Sequence, residues 1–86
     1  MERDVILDKI VAAIKKRFED RGETISIVNE ETPVDSRLGL DSLDWAIVVV
    51  ELEETLNCDP FAQGGGANLS TVADLVALYE NHLSKQ

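Results

Sequence analysis

Ser42 lies between an aspartate and a leucine in "LGLDSLDWAIVVVELEETL", residues 38–56, at the expected mouth of a helix. A serine that attacks substrates needs a general base and an oxyanion pocket, whereas a serine that only carries a group needs neither. The sole histidine, His82, falls in the polar end of the last helical segment, and "GLDSL" lacks the G-x-S-x-G elbow of a hydrolase. Cys58 is the only cysteine, so no intramolecular disulfide and no cysteine-based zinc site can form, and its thiol reads as incidental. Asp41, Asp44, Glu51, Glu53 and Glu54 follow a helix, not the alternating loop positions of a calcium loop, so they read as a solvated acidic face and no metal site is expected. The glycines at 64–66 are not followed by Lys-Ser/Thr and read as a plain, flexible loop. What survives is a serine at a helix N-terminus, where backbone amides and the helix dipole favour a phosphate on its hydroxyl. Position alone favours a structural serine, because serines begin helices mainly in that role.

The surrounding chain is small and acidic. Its 86 residues, 44% of them hydrophobic, suit one modest domain with little room for a deep catalytic cleft. Seventeen acids against eight bases give a net charge of −9, which repels nucleic acid and anionic membrane and favours partners with basic patches. Six of the eight Lys and Arg fall between Arg3 and Arg21, and none lies between Arg37 and Lys85. The first twenty residues lack a continuous apolar run, and no segment approaches membrane-spanning length. A cytoplasmic protein without membrane insertion is expected.

Three helices must position Ser42. In "ERDVILDKIVAAIKKRFED" the apolar residues Ile6, Ile10, Ile14 and Phe18 recur every four positions, flanked by Leu7, Val11 and Ala13, and Gly22 ends the helix. The long connection "ETISIVNEETPVDSRLGL" follows, with Ile25 and Ile27 expected to pin it to the core. The second helix begins at Ser42, with Asp41 as N-cap and Asp44 in the first turn, and ends near Asn57. Its Trp45, Val48, Val49, Leu52 and Leu56 share a core face, while Leu43, Ala46, Ile47 and Val50 form an adjacent apolar face. In "CDPFAQGGGANLS", Pro60 is expected to start a short turn anchored by Phe61. Thr71 and Asp74 have the form of a capping box for a last helix whose Val72, Leu75, Val76, Tyr79 and Leu83 keep helical spacing. No repeat or domain boundary interrupts residues 1–86, which read as a single domain.

With these elements placed, "LGLDSLDWAIVVVELEETL" resembles the prosthetic-group attachment region of the acyl carrier protein family. The likeness rests on Gly39, Asp41, Ser42 and Leu43 as a G-x-D-S-L core, on the acidic helix running to Glu53 and Glu54, and on the final "LSTVADLVALY". It implies an all-α fold, a four-helix bundle with three main helices, one short helix and a long first loop. It also implies that Ser42 receives 4′-phosphopantetheine from coenzyme A through a phosphopantetheinyl transferase. Acyl groups would ride on that arm as thioesters, with no catalytic residue in the carrier itself. Asp41 takes a supporting role at the attachment site, and Leu43, Asp44, Ile47, Val50, Glu51 and Glu54 become partner contacts. The partners are acyl ligases, transacylases or synthases with basic patches, in lipid, polyketide or related biosynthesis, and the carrier is expected to be a monomer. Three departures from the usual fatty-acid-synthesis carriers point to a specialised member: Ile47 where an acid is usual, Trp45 in place of a smaller residue, and the long "CDPFAQGGGANLS" connection. An aminoacyl or peptidyl carrier shares the fold, but its motif usually has a glycine pair where this chain has Leu40 and Asp41. The rival from another class is a helical interaction domain without a prosthetic group, using Leu43, Ile47 and Val50. A serine hydrolase stands third.

Overall fold

The computed structural model describes residues 2–63 and 69–83. They form three α-helices: α1 (Arg3–Asp20), α2 (Ser42–Leu56) and α3 (Val72–Leu83). Two short 3-10 turns, Ser36–Leu38 and Pro60–Gln63, lie in the connections, and no strand occurs among the described residues. Among the described residues the connection expected to hold a short fourth helix shows a 3-10 turn, which Phe61 ties to α3 through an edge-on contact with Tyr79, ring centroids 6.2 Å apart. The triglycine, expected to be a flexible tip, lies outside the described residues.

The four-residue spacing in α1 works as anticipated: Ile6, Ile10, Ile14 and Phe18 are all buried, against both α2 and α3. Helix α1 ends in a Schellman arrangement. The Glu23 amide donates to the Phe18 carbonyl at 2.9 Å and the Gly22 amide to Glu19 at 2.9 Å, with Gly22 at φ +78°, where a side chain is strained. Helix α2 contributes Val48, Leu52 and Leu56 to the core, and α3 contributes Val72, Leu75, Val76 and Tyr79. Trp45 and Val49 are only partly buried, so the core face of α2 is narrower than its spacing predicts. β-Branched residues fill the helix because burial and the caps at its ends outweigh their weaker helix propensity.

The first loop is pinned differently from expectation. Ile27 is 71% exposed; Val28 is buried instead, with Ile25 packed at the edge of the core. Backbone bonds anchor the loop to the start of α3. The Val72 amide donates to Thr32 at 2.8 Å, Ala73 to Glu30 at 2.9 Å, and Val34 to Ser70 at 3.0 Å. Pro33 and Thr71 form an isolated antiparallel bridge between the same segments. Two of the amides that the first turn of any helix leaves unpaired are thereby satisfied by the loop. The end of the same loop leads directly into α2 and so fixes where Ser42 emerges.

Candidate functional site

Ser42 is the first residue of α2 and is exposed. Asp41 caps the helix from an extended conformation: its carboxylate accepts the Asp44 amide at 2.9 Å, and the Asp44 carboxylate accepts the Asp41 amide at 3.2 Å, a complete capping box. The Trp45 amide donates to the Asp41 carbonyl at 3.0 Å. The Ser42 hydroxyl and the Ser42 and Leu43 amides make no hydrogen bond to the described residues. Two free amides and a free hydroxyl thus meet at the positive end of a 15-residue helix, an arrangement suited to a phosphodiester on the serine. Just before the cap, Leu40 is buried at 1% exposure, and Gly39 turns the chain at φ +100°, a conformation open to glycine. The motif therefore has an anchor in the core, a turn and a cap, with Ser42 and its neighbour Leu43 exposed just beyond the cap.

Asp44 faces inward. It is buried, at 6% exposure, and paired inside the chain, which corrects the expectation that its charge meets a basic patch. Arg17 Nε donates to one carboxylate oxygen at 2.8 Å and Arg21 Nη1 to the other at 3.2 Å; the same Arg21 nitrogen donates to the Gly39 carbonyl at 3.0 Å. The hydrogen bond from Arg17 holds the Asp44 carboxyl below the usual carboxylate range. The sequence shows Arg17 and Arg21 only as cations suited to the end of α1. Their spacing of four, which puts both on one helical face, was the available signal that they share a partner.

Of the other expected contact residues, Leu43, Ile47 and Val50 are 69%, 39% and 54% exposed and run along the outer face of α2 with Ala46. Glu54 is exposed, as is Glu53, while Glu51 is partly buried and pairs with Lys16 at 3.5 Å. On the inner side of α2 an apolar cleft of about 120 Å³ opens between Val34, Trp45, Val48, Val49, Phe61, Leu69 and Leu75. It brings the long loop, α2, the 3-10 turn and α3 together, with Trp45 three residues from Ser42.

The remaining candidate chemistries gain no support among the described residues. Cys58 is buried, and burial pushes its thiol above the ordinary value, the opposite of an activated nucleophile. His82 stands in the last turn of α3. Among the described residues no group of His, Cys, Asp and Glu is placed to hold a metal ion, and no helix is long and apolar enough to cross a membrane.

No protein-family model matches the chain, and no solved structure matches it. Among curated proteins it is similar to the acyl carrier protein of Azobacteroides pseudotrichonymphae genomovar. CFP2, 24% identical over 80 residues that cover 93% of this chain and 91% of that one. At that identity, and over nearly the full length of both chains, the similarity gives loose support to the resemblance carried by Gly39, Asp41, Ser42 and Leu43.

Proposed function

We propose that this protein is a discrete acyl carrier, a single carrier domain over residues 1–86 with a 4′-phosphopantetheine arm on Ser42. The observation that carries the reading is the free, exposed Ser42 hydroxyl on the first turn of α2, next to two unpaired amides and a complete Asp41–Asp44 capping box. When attached, the arm supplies a thiol on which acyl groups ride as thioesters. The chain's own residues do the rest. The Ser42 and Leu43 amides and the α2 dipole favour the phosphodiester, Asp41 holds the helix end, and the serine needs no base because a separate transferase provides it. The cleft beside Trp45 has room for a few methylenes of an acyl chain, taking about 30 Å³ for each water-sized group. The 3-10 turn at Pro60–Gln63 stands in the connection where the family's short helix is expected, which supports the four-helix-bundle likeness. Leu43, Ile47, Val50, Glu51 and Glu54 form the docking face for the transferase and for ligase, transacylase or synthase partners, in the cytoplasm and as a monomer.

The test is intact mass after incubation with coenzyme A and a broad-specificity phosphopantetheinyl transferase. The native chain should gain one phosphopantetheine and Ser42→Ala none, with Ser36 and Ser70 unmodified. Asp41 retains the cap, so Ser42→Ala should cost at most about 1 kcal/mol of stability. A native chain that gains no mass would favour a helical interaction domain using the same exposed strip; an alanine variant that is still modified would move the site elsewhere.

A further inference from the structure

The flanks of Ser42 are tied to the end of α1 by one network of charges. Arg21 joins the Gly39 carbonyl to Asp44, Arg17 takes the second Asp44 oxygen, and Asp44 holds the Asp41 amide. Residues 39, 41 and 44 therefore all depend on two guanidinium groups from another helix. The Asp44 side chain is only 9% exposed and those of Arg17 and Arg21 are 21% and 31% exposed, so the network is largely sheltered from solvent. Apart from it, this segment's anchor in the core is Leu40. Arg21 also pairs with Glu23 at 3.1 Å, so the two arginines and two acids are balanced in charge.

We propose that Arg17 and Arg21, acting through Asp44, are positioning residues for the modification of Ser42. This rests on the reading of Ser42 as the attachment site. A helix start preceded by a turn at a left-handed glycine frays readily unless it is tied down. In the transfer the Ser42 oxygen bonds the phosphorus of coenzyme A's phosphopantetheine while the bond to the departing adenosine 3′,5′-bisphosphate breaks and the transferase takes the serine proton. The hydroxyl must therefore stay in near-attack geometry, where a displacement of about 1 Å costs on the order of 100-fold in rate. The network restrains the backbone on both sides of Ser42 without using the serine itself, which leaves its hydroxyl free to react. Lysine is a poor substitute at Arg21, because a single ammonium cannot reproduce a guanidinium whose Nη1 reaches the Gly39 carbonyl and Asp44 while its Nη2 pairs with Glu23.

The experiment compares the native chain with Arg17→Gln, Arg21→Gln, the double variant and Asp44→Asn. Loading from coenzyme A by a phosphopantetheinyl transferase is measured as separate kcat and KM values, and amide hydrogen exchange is followed over residues 39–56. The double variant should lose about tenfold in kcat with KM changed less than about twofold, and exchange should quicken at 39–45 but not at 46–56. Adding Asp44→Asn to the double variant should cause little further loss, since the three side chains act as a unit. Native kcat in the double variant, or a loss confined to KM, would overturn the proposal; if the double variant does not fold, Arg21→Gln alone serves the same comparison. If the native chain is never modified, the attachment reading fails first. The exchange measurement still judges the network: unchanged exchange at 39–45 would overturn it as a restraint, and quickened exchange would uphold it.

Discussion

Asp44 serves two elements with one carboxylate: it closes the cap of α2 and accepts two arginines from α1. The groups facing it are Arg17 and Arg21 from α1 and Asp41 from the helix start. Its carboxyl is held below its ordinary value first by the Arg17 hydrogen bond, then by the Asp41 amide and the charges of Arg21 and Arg17, against the opposing effect of burial. A carboxyl lowered in the folded state stabilises the fold at pH above its unfolded value of about 3.9 and loses that contribution as pH falls through the folded value. Below about pH 4 the native chain should therefore lose melting temperature more steeply than Asp44→Asn, as followed by circular dichroism. Ile47 poses a different question, because a buried isoleucine could not tolerate a charge. At 39% exposure, on a shallow groove that holds Lys16 and Arg17 as well as Asp20 and Glu51, it can keep a new carboxylate in solvent. Ile47→Glu should change stability by no more than about 0.5 kcal/mol while improving loading by a fatty-acid-synthesis transacylase and impairing use by the cognate enzyme. A folded variant with unchanged selectivity would remove Ile47 from partner choice.

The elements show how far local rules reach. Caps and periodicity are contained in a few neighbouring residues, so α1, the start of α2 at Ser42 and its end before Asn57, which adopts the left-handed region at φ 57°, were legible from spacing alone. Contacts between distant segments were not. Nothing near Asp44 in the sequence points to Arg17 or Arg21, 27 and 23 residues away, and alternation in "ISIV" cannot tell whether Ile27 or Val28 turns inward. The start of α3 combines both kinds of information. Asp74 accepts the Ser70 and Thr71 amides at 2.9 and 3.1 Å, as half of the expected box, and the loop carbonyls of Glu30 and Thr32 accept the next two. The Thr71 and Ser70 amides hold the Asp74 carboxyl below its ordinary value. Asp74→Ala should lower the midpoint of urea denaturation, because the two amides just before α3 lose their acceptor.

Across the whole molecule, cations are concentrated in α1 and are largely engaged internally: Arg3 with Glu30 and Glu80, Lys16 with Glu51, Arg17 with Asp44, and Arg21 with Asp44 and Glu23. The outward field near Ser42 then comes from acids such as Asp41, Glu53 and Glu54, which are exposed. Raised salt should weaken binding to the transferase, but with a shallower slope than the count of acids on α2 suggests, since Asp44 and Glu51 are already paired. An affinity that is flat or rises across a salt series would mean that the apolar strip governs binding. The anchoring of α3 by the first loop has a consequence for the order of folding. The first two amides of α3 find their acceptors some forty residues back, at Thr32 and Glu30, so they gain these partners only once the chain has closed a large loop around α2. The prediction is that α3 and the loop consolidate after α1 and α2 have packed, which folding and unfolding rates measured across a urea series would check. On that order, Asp74→Ala speeds unfolding and leaves the folding rate nearly unchanged, and the cleft beside Trp45, walled by both late pieces, is the last part of the molecule to take shape.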